Sequence, residues 1–98
     1  MILSERYEVR EDLAQNEKLT VYQGFDRQLN VYVTIRILNP AYSTDPRYVR
    51  YFLQRAEQAS AQKGPPKAVA WGADGDIYYV VMEWIEGADP QIYLKGAI

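Results

Sequence analysis

Val31-Tyr32-Val33-Thr34-Ile35-Arg36-Ile37-Leu38-Asn39-Pro40 decides the fold. β-Branched residues recur at Val31, Val33, Ile35 and Ile37, the period of two that a strand requires, and Pro40 closes the run. Upstream, Gly24-Phe25-Asp26-Arg27-Gln28-Leu29-Asn30 reads as a turn. Before it, Tyr7, Val9 and Leu13, then Leu19, Val21 and Tyr22, form two short strand patterns parted by the polar stretch Gln15-Asn16-Glu17-Lys18. These three segments predict three antiparallel strands in succession. Downstream the period changes. Asp45-Pro46 is a helix N-cap followed by proline at the first helical position. Val49, Phe52, Leu53, Ala56 and Ala59 or Ser60 then follow at spacings of three and four, predicting one amphipathic helix of about four turns. Lys63-Gly64-Pro65-Pro66 ends it. Two more strands are expected at Ala68–Trp71 and Ile77–Ile85 around the turn Gly72-Ala73-Asp74-Gly75-Asp76. Glu86–Pro90 leaves the sheet, and Gln91–Leu94 has the pattern of a helix beginning. The expected fold is α+β: a five-stranded antiparallel twisted sheet with one main helix, in the order β-β-β-α-β-β.

A chain of 98 residues is sized for one domain, here 1–98. Apolar residues make up 48% and charged residues 24%, an ordinary globular balance. The net charge of −2 and the pI near 5.0 supply no basic footprint, so neither nucleic acid nor an anionic membrane is an expected partner. There is no cysteine and no histidine, which removes disulfides, thiol nucleophiles, Cys/His zinc sites and imidazole acid–base chemistry. No run is apolar enough to span a membrane and no secretory signal is visible, so a cytoplasmic protein is expected. The unusual number is nine tyrosines against two phenylalanines. Tyr32, Tyr78 and Tyr79 fall on strands, where rings fill half-buried sheet faces, and Tyr42, Tyr48 and Tyr51 surround the helix start.

The strand order and its landmarks resemble the N-terminal lobe of a eukaryotic-type serine/threonine protein kinase of the kind found in bacteria. The residues that carry the resemblance run from 6 to 94. They are Arg6-Tyr7-Glu8-Val9, Val21-Tyr22-Gln23-Gly24-Phe25-Asp26, Val33-Thr34-Ile35-Arg36-Ile37-Leu38, Phe52-Leu53-Gln54-Arg55-Ala56-Glu57 and Tyr78-Tyr79-Val80-Val81-Met82-Glu83-Trp84-Ile85-Glu86-Gly87. Five such matches in the right order are specific where each alone is weak.

Departures from the family pattern carry the functional expectation. A kinase closes a glycine-rich loop over ATP phosphates, because residues without Cβ let backbone N–H groups approach them. Here the three glycine positions hold Ala14, Asn16 and Leu19, and Glu17 adds negative charge. The third-strand lysine is Arg36, whose planar fork does not replace a compact ammonium. Its helix glutamate is Arg55, so an attractive pair has become two like charges, expected to splay into solvent. Glu57 lies about 200° around the helix from that position and is a poor substitute. The resemblance places the catalytic and metal-binding residues in a C-terminal lobe, and neither His-Arg-Asp nor Asp-Phe-Gly occurs among the 98 residues. The chain is therefore not expected to transfer phosphate by itself.

Other chemistry has weaker support. Ser4, Ser43 and Ser60 lie at the terminus and at helix ends, where hydroxyls cap rather than react. Asp74-Gly75-Asp76 lacks the further ligands of a calcium loop and reads as a tight turn. No catalytic residue, cofactor or metal site is assigned. In a kinase the concave underside of the sheet faces the nucleotide and the other lobe. Val21, Thr34, Met82, Trp84 and Ile85 are expected to line that face here as an uncovered apolar surface, which infill by Ala14, Leu19 and Met82 would shrink. The expected function is a catalytically inactive, kinase-lobe-like module for protein–protein interaction or regulation, alone or within a larger protein. Its partner is another protein or domain, or a second copy. Two alternatives are a residual nucleotide or anion sensor using Arg36 and Arg55, and half of a split kinase completed by a separate chain.

Overall fold

The computed structural model of the chain describes residues 1–95, so the last three residues of the expected 1–98 domain lie outside the described residues. Its strands are β1 (Ile2–Leu3), β2 (Tyr7–Gln15), β3 (Leu19–Asp26), β4 (Val31–Leu38), β5 (Ala68–Asp74) and β6 (Ile77–Glu83). A one-turn helix α1 (Pro40–Ser43) and the main helix α2 (Pro46–Ala61) lie between β4 and β5, and a 3₁₀ turn covers Pro90–Tyr93. Every strand pairing is antiparallel, in the order β1-β2-β3-β4-β6-β5.

The sheet therefore has six strands where five were expected. The addition is β1, which pairs Ile2 with Glu8 and Leu3 with Tyr7 after a turn in which Ser4 and Glu5 take positive φ. Two residues show no period, so no alternation marked it. The remaining boundaries move little. β5 runs on to Asp74, and β6 stops at Glu83 rather than Ile85 because the chain turns away there.

β4 is central and divides the molecule. Thr34, Arg36 and Leu38 lie on the α2 side, and Val33, Ile35 and Ile37 on the other. On the α2 side, Phe52 and Ala56 pack against Leu19, Val21, Leu38, Val80 and Met82, with Val49, Leu53 and Ala59 at the margin. This is the stripe the helical spacing predicts, and each fully buried large apolar side chain in it contributes about 1.5–3 kcal/mol. Asp45 caps α2 by accepting from Arg47 N at 2.9 Å, with Pro46 at the first position. On the opposite face Leu3, Tyr7, Val33, Ile35, Tyr79 and Val81 form a second cluster. The sheet curls over it until Ser4 N donates to Asp74 Oδ2 at 2.7 Å and Ser4 Oγ meets Tyr79 Oη at 2.6 Å.

Gly24 on β3 permits the close packing inside this curl. A Cβ there would lie 2.8 Å from Ile35 Cγ1 and 3.1 Å from the Glu8 carbonyl oxygen.

Candidate functional site

The residues that a kinase would turn toward nucleotide meet at the β2–β3 hairpin, the inner face of β4 and the end of β6. The hairpin tip is closed. Asn16 Oδ1 accepts from the backbone N–H of Lys18 and of Leu19, each at 2.9 Å, and Asn16 N donates to Leu19 O at 3.0 Å. Asn39, just after β4, holds the tip down. Its Nδ2 donates to Asn16 O at 3.1 Å and Glu17 O at 3.0 Å, its N donates to Lys18 O at 2.7 Å, and its Oδ1 accepts from Thr20 Oγ1 at 2.8 Å. The Tyr42 hydroxyl donates to the Glu17 carboxylate, which raises the Tyr42 pKa above its ordinary value. The donors of Asn16, Lys18 and Leu19 are thus spent inside the turn, whereas a phosphate cradle needs such N–H groups aimed at the ligand. Ala14 and Leu19, at two of the lost glycine positions, pack into the α2-side core.

Arg36 departs from expectation. It is 6% exposed, not splayed into solvent. Its Nε donates to Tyr93 O at 2.6 Å. Burial, and secondarily the charge of Arg55, push its pKa down to about 10. Among the described residues its guanidinium has no carboxylate within ion-pair distance. Arg55 stands on α2, half-exposed, with Nη1 donating to Gln58 Oε1 at 3.2 Å, while Glu57 points to solvent. The physical reason is geometric. Position 36 lies on the inner face of a central strand, so its side chain must enter the core whatever its charge.

The underside of the sheet also departs from expectation. Val21, Thr34 and Met82 are fully buried, and Trp84 and Ile85 are half-buried. What covers Val21 and Met82 is the end of the described chain. Asp89 Oδ1 accepts from Gln91 N at 3.0 Å and Pro90 occupies the first position of the 3₁₀ turn. This turn carries Tyr93, 2% exposed, into the cluster formed by Val21, Val80 and Met82, with Ile92 and Leu94 packed beside it. Tyr93 Oη donates to Glu83 O at 3.0 Å. Thr34 Oγ1 is buried with no hydrogen-bond partner among the described residues. Sequence reasoning gave Tyr93 no role, although Asp89-Pro90 repeats the cap-and-proline signature that located α2.

Exposed apolar surface lies elsewhere. Leu29, Val31, Tyr32 and Val69 adjoin Trp84 around a cavity of about 350 Å³. Tyr32 lies between Phe25, which it meets edge-on at 5.6 Å, and Trp84, tilted to it at 6.3 Å, and the Arg10 guanidinium covers Phe25 at 4.8 Å. Among the described residues no three acidic side chains converge to hold a metal ion, and no helix is long and apolar enough to cross a membrane.

No family model matches the chain. In sequence it is 32% identical over 96 residues to the serine/threonine-protein kinase PrkC of Bacillus subtilis, covering 96% of this chain and 15% of that protein. It is 31% identical over 88 residues to a probable serine/threonine-protein kinase of Clostridium acetobutylicum, covering 88% of this chain and 13% of that one. The chain thus spans only 13–15% of the length of these curated relatives. In structure, a double-mutant PknI kinase domain of Mycobacterium tuberculosis superposes on 87% of this chain and 35% of its own with a TM-score of 0.71, at 18% identity.

Proposed function

We propose that this chain, a protein-kinase N-lobe by fold and similar in sequence to bacterial serine/threonine kinases, is a catalytically inactive module that works through protein–protein contact. The observation that carries the reading is Tyr93. Its ring fills the space under Val21 and Met82, where the resemblance puts a nucleotide base, and its backbone takes the one hydrogen bond that the Arg36 side chain makes among the described residues. Two further features support it: the hairpin tip has turned its N–H groups inward, and Arg36 faces Arg55 in place of a glutamate.

With Val21, Thr34 and Met82 covered, the surface left for contact is Trp84 and Ile85 with their exposed neighbours Leu29, Val31 and Tyr32. Its occupant in this proposal is another protein domain. The matched stretch is only 13–15% of the relatives' length, so in them it is joined to further polypeptide.

Thermal unfolding with Mg-ADP tests the inactive reading, because a ligand that binds only the folded state raises the midpoint. The expected result is a midpoint no higher than with inorganic phosphate at the same ionic strength. A larger rise with Mg-ADP, removed by Arg36→Ala, overturns the reading in favour of a nucleotide sensor.

A further inference from the structure

We infer that the cavity at the mouth of the curled sheet receives a basic-apolar segment of a partner protein, one large apolar side chain filling the cavity and an adjoining arginine or lysine lying on Trp84 beside Glu83 and Glu86. The inference rests on the contact reading above and names the chemistry of the partner. The cavity opens where β2 and β4 start, where β3 and β6 end, and along β5, and it measures about 350 Å³. Buried Val33 and half-buried Ala70 line its depth, while Leu29, Val31, Tyr32 and Val69 make an exposed apolar rim. A dry cavity of about 150 Å³ already holds a benzene ring. The space here therefore suffices for a phenyl or an indole group. Exposed apolar side chains gathered around one cavity mark a contact surface, where the same residues scattered singly would not.

Charge selects the partner. Arg6 and Asp26 also line the cavity, but they pair at 2.8 Å and cancel. Arg10, over the Phe25 ring, pairs with Glu8 at 3.0 Å. Glu83 is different: it lines the cavity, is exposed, and its Oε1 accepts from a neutral donor, the backbone N–H of Lys67, at 3.0 Å. Glu86, also exposed, stands beside the Trp84 ring, with Oε2 accepting from Trp84 Nε1 at 3.1 Å. Among the described residues neither carboxylate has a cation within ion-pair distance.

Two such carboxylates against an indole combine a negative field with a π face, which together attract arginine or lysine. An acidic segment meets like charge at the same place and is rejected. The cavity thus supplies the desolvated anchor, and the glutamates supply the selection between partners.

The test is nuclear magnetic resonance of the isotope-labelled chain titrated with acetyl-Phe-Arg-Arg-amide. The chain has two tryptophans, and Trp71 does not line the cavity, so its indole N–H is an internal control for that of Trp84. The expected result is a saturable shift of the Trp84 signal with the Trp71 signal unmoved. Acetyl-Ala-Arg-Arg-amide, which lacks the anchor, is expected to bind about tenfold more weakly. Acetyl-Phe-Glu-Glu-amide is expected to give no saturable shift. The double variant Glu83→Gln, Glu86→Gln is expected to weaken the Phe-Arg-Arg peptide about threefold to tenfold, the worth of two exposed ion pairs. No saturable shift of Trp84 overturns the proposal. So does equal binding of the Phe-Glu-Glu peptide, or a Trp71 shift of the same size. Failure of the contact reading is a separate result, read from Trp84→Asp leaving association with a partner domain unchanged. Association lost in that variant, with no peptide bound, keeps the surface and overturns the basic-apolar chemistry alone.

Discussion

Arg36 Nε donates to the carbonyl oxygen of Tyr93 at 2.6 Å, joining the middle of β4 to a turn 57 residues later. This contact links the two places where the molecule departs from an open kinase lobe. The cation at the lysine position is drawn into the core by its strand, and the turn that follows β6 folds back to meet it. The Tyr93 ring fills the volume beneath the sheet, and its hydroxyl closes on Glu83 O.

Removing Tyr93 therefore costs more than one contact. Tyr93→Ala is expected to destabilise the chain by about 3–5 kcal/mol, the range for losing a buried aromatic ring. Tyr93→Phe keeps the ring and leaves Glu83 O without its donor, for about 0.5–1.5 kcal/mol. Urea unfolding of the two variants separates the ring from the hydroxyl, and equal losses would contradict this division.

Arg36→Met is expected to leave stability unchanged or raise it by about 1–3 kcal/mol in chloride buffer, since an apolar side chain of similar length replaces an uncompensated buried charge. The sign with pH follows from the lowered pKa. Below about 10 both folded and unfolded chains hold the proton, and the folded state bears the full cost of burying it. From about 10 up to the ordinary arginine value the unfolded chain holds more protons than the folded one. Stability from this group therefore rises with pH in that window. The gap between the parent chain and Arg36→Met should narrow above pH 10, read as the difference between their urea midpoints.

Asp26 is the buried charge with full compensation. Its two oxygens accept from Arg6 Nε at 2.9 Å and Nη2 at 2.8 Å, and Oδ1 also accepts from Gln28 N and Leu29 N. The Arg6 hydrogen bonds, ahead of the backbone ones, lower its pKa below the ordinary carboxylate value. Its contribution is present above the unfolded pKa, near 4, and is lost as pH falls through the folded value. Asp26→Asn should cost about 1–3 kcal/mol at pH 7 and progressively less below pH 4. Urea unfolding at pH 7 and pH 3 measures both ends, and a constant difference would rule out this role.

Gly24→Ala places a Cβ against Ile35 and the Glu8 carbonyl inside the curled sheet. Overpacking of this kind costs about 1–3 kcal/mol. Ile35→Val in the same chain should recover part of it, since the clash is with the far end of that side chain. Thermal midpoints of the single and double variants provide the check.

Trp84→Asp adds charge to a half-exposed ring beside Tyr32 without touching either core cluster. The far-ultraviolet circular dichroism should stay the same while association with a partner domain is lost. Association unchanged by the variant would place the contact elsewhere, for instance at Tyr48 and Tyr51 beside α2.

Strand and helix positions were legible because each element carries its own period. Alternating β-branched residues mark β4, a three-four spacing marks α2, and Asp45-Pro46 marks where α2 begins. The filled glycine positions at Ala14, Asn16 and Leu19 and the replacements at Arg36 and Arg55 were equally plain, being matters of residue identity. β1 was not, since two residues make no pattern. Nor was the role of Asn39, which clamps a hairpin tip 22 and 23 residues earlier in the chain through hydrogen bonds that no spacing rule describes.

The sequence by itself determined the order of the elements, the kinase-lobe resemblance and the absence of sulfur and imidazole chemistry. Those follow from local periodicity and composition. Only the tertiary structure decided that the underside is covered and that Arg36 is buried. These depend on which distant side chain fills a given volume, and Tyr93 reaches Arg36 across 57 residues. Close packing leaves no room under the sheet unclaimed, but which residue claims it is settled by the assembled chain and not by any one segment.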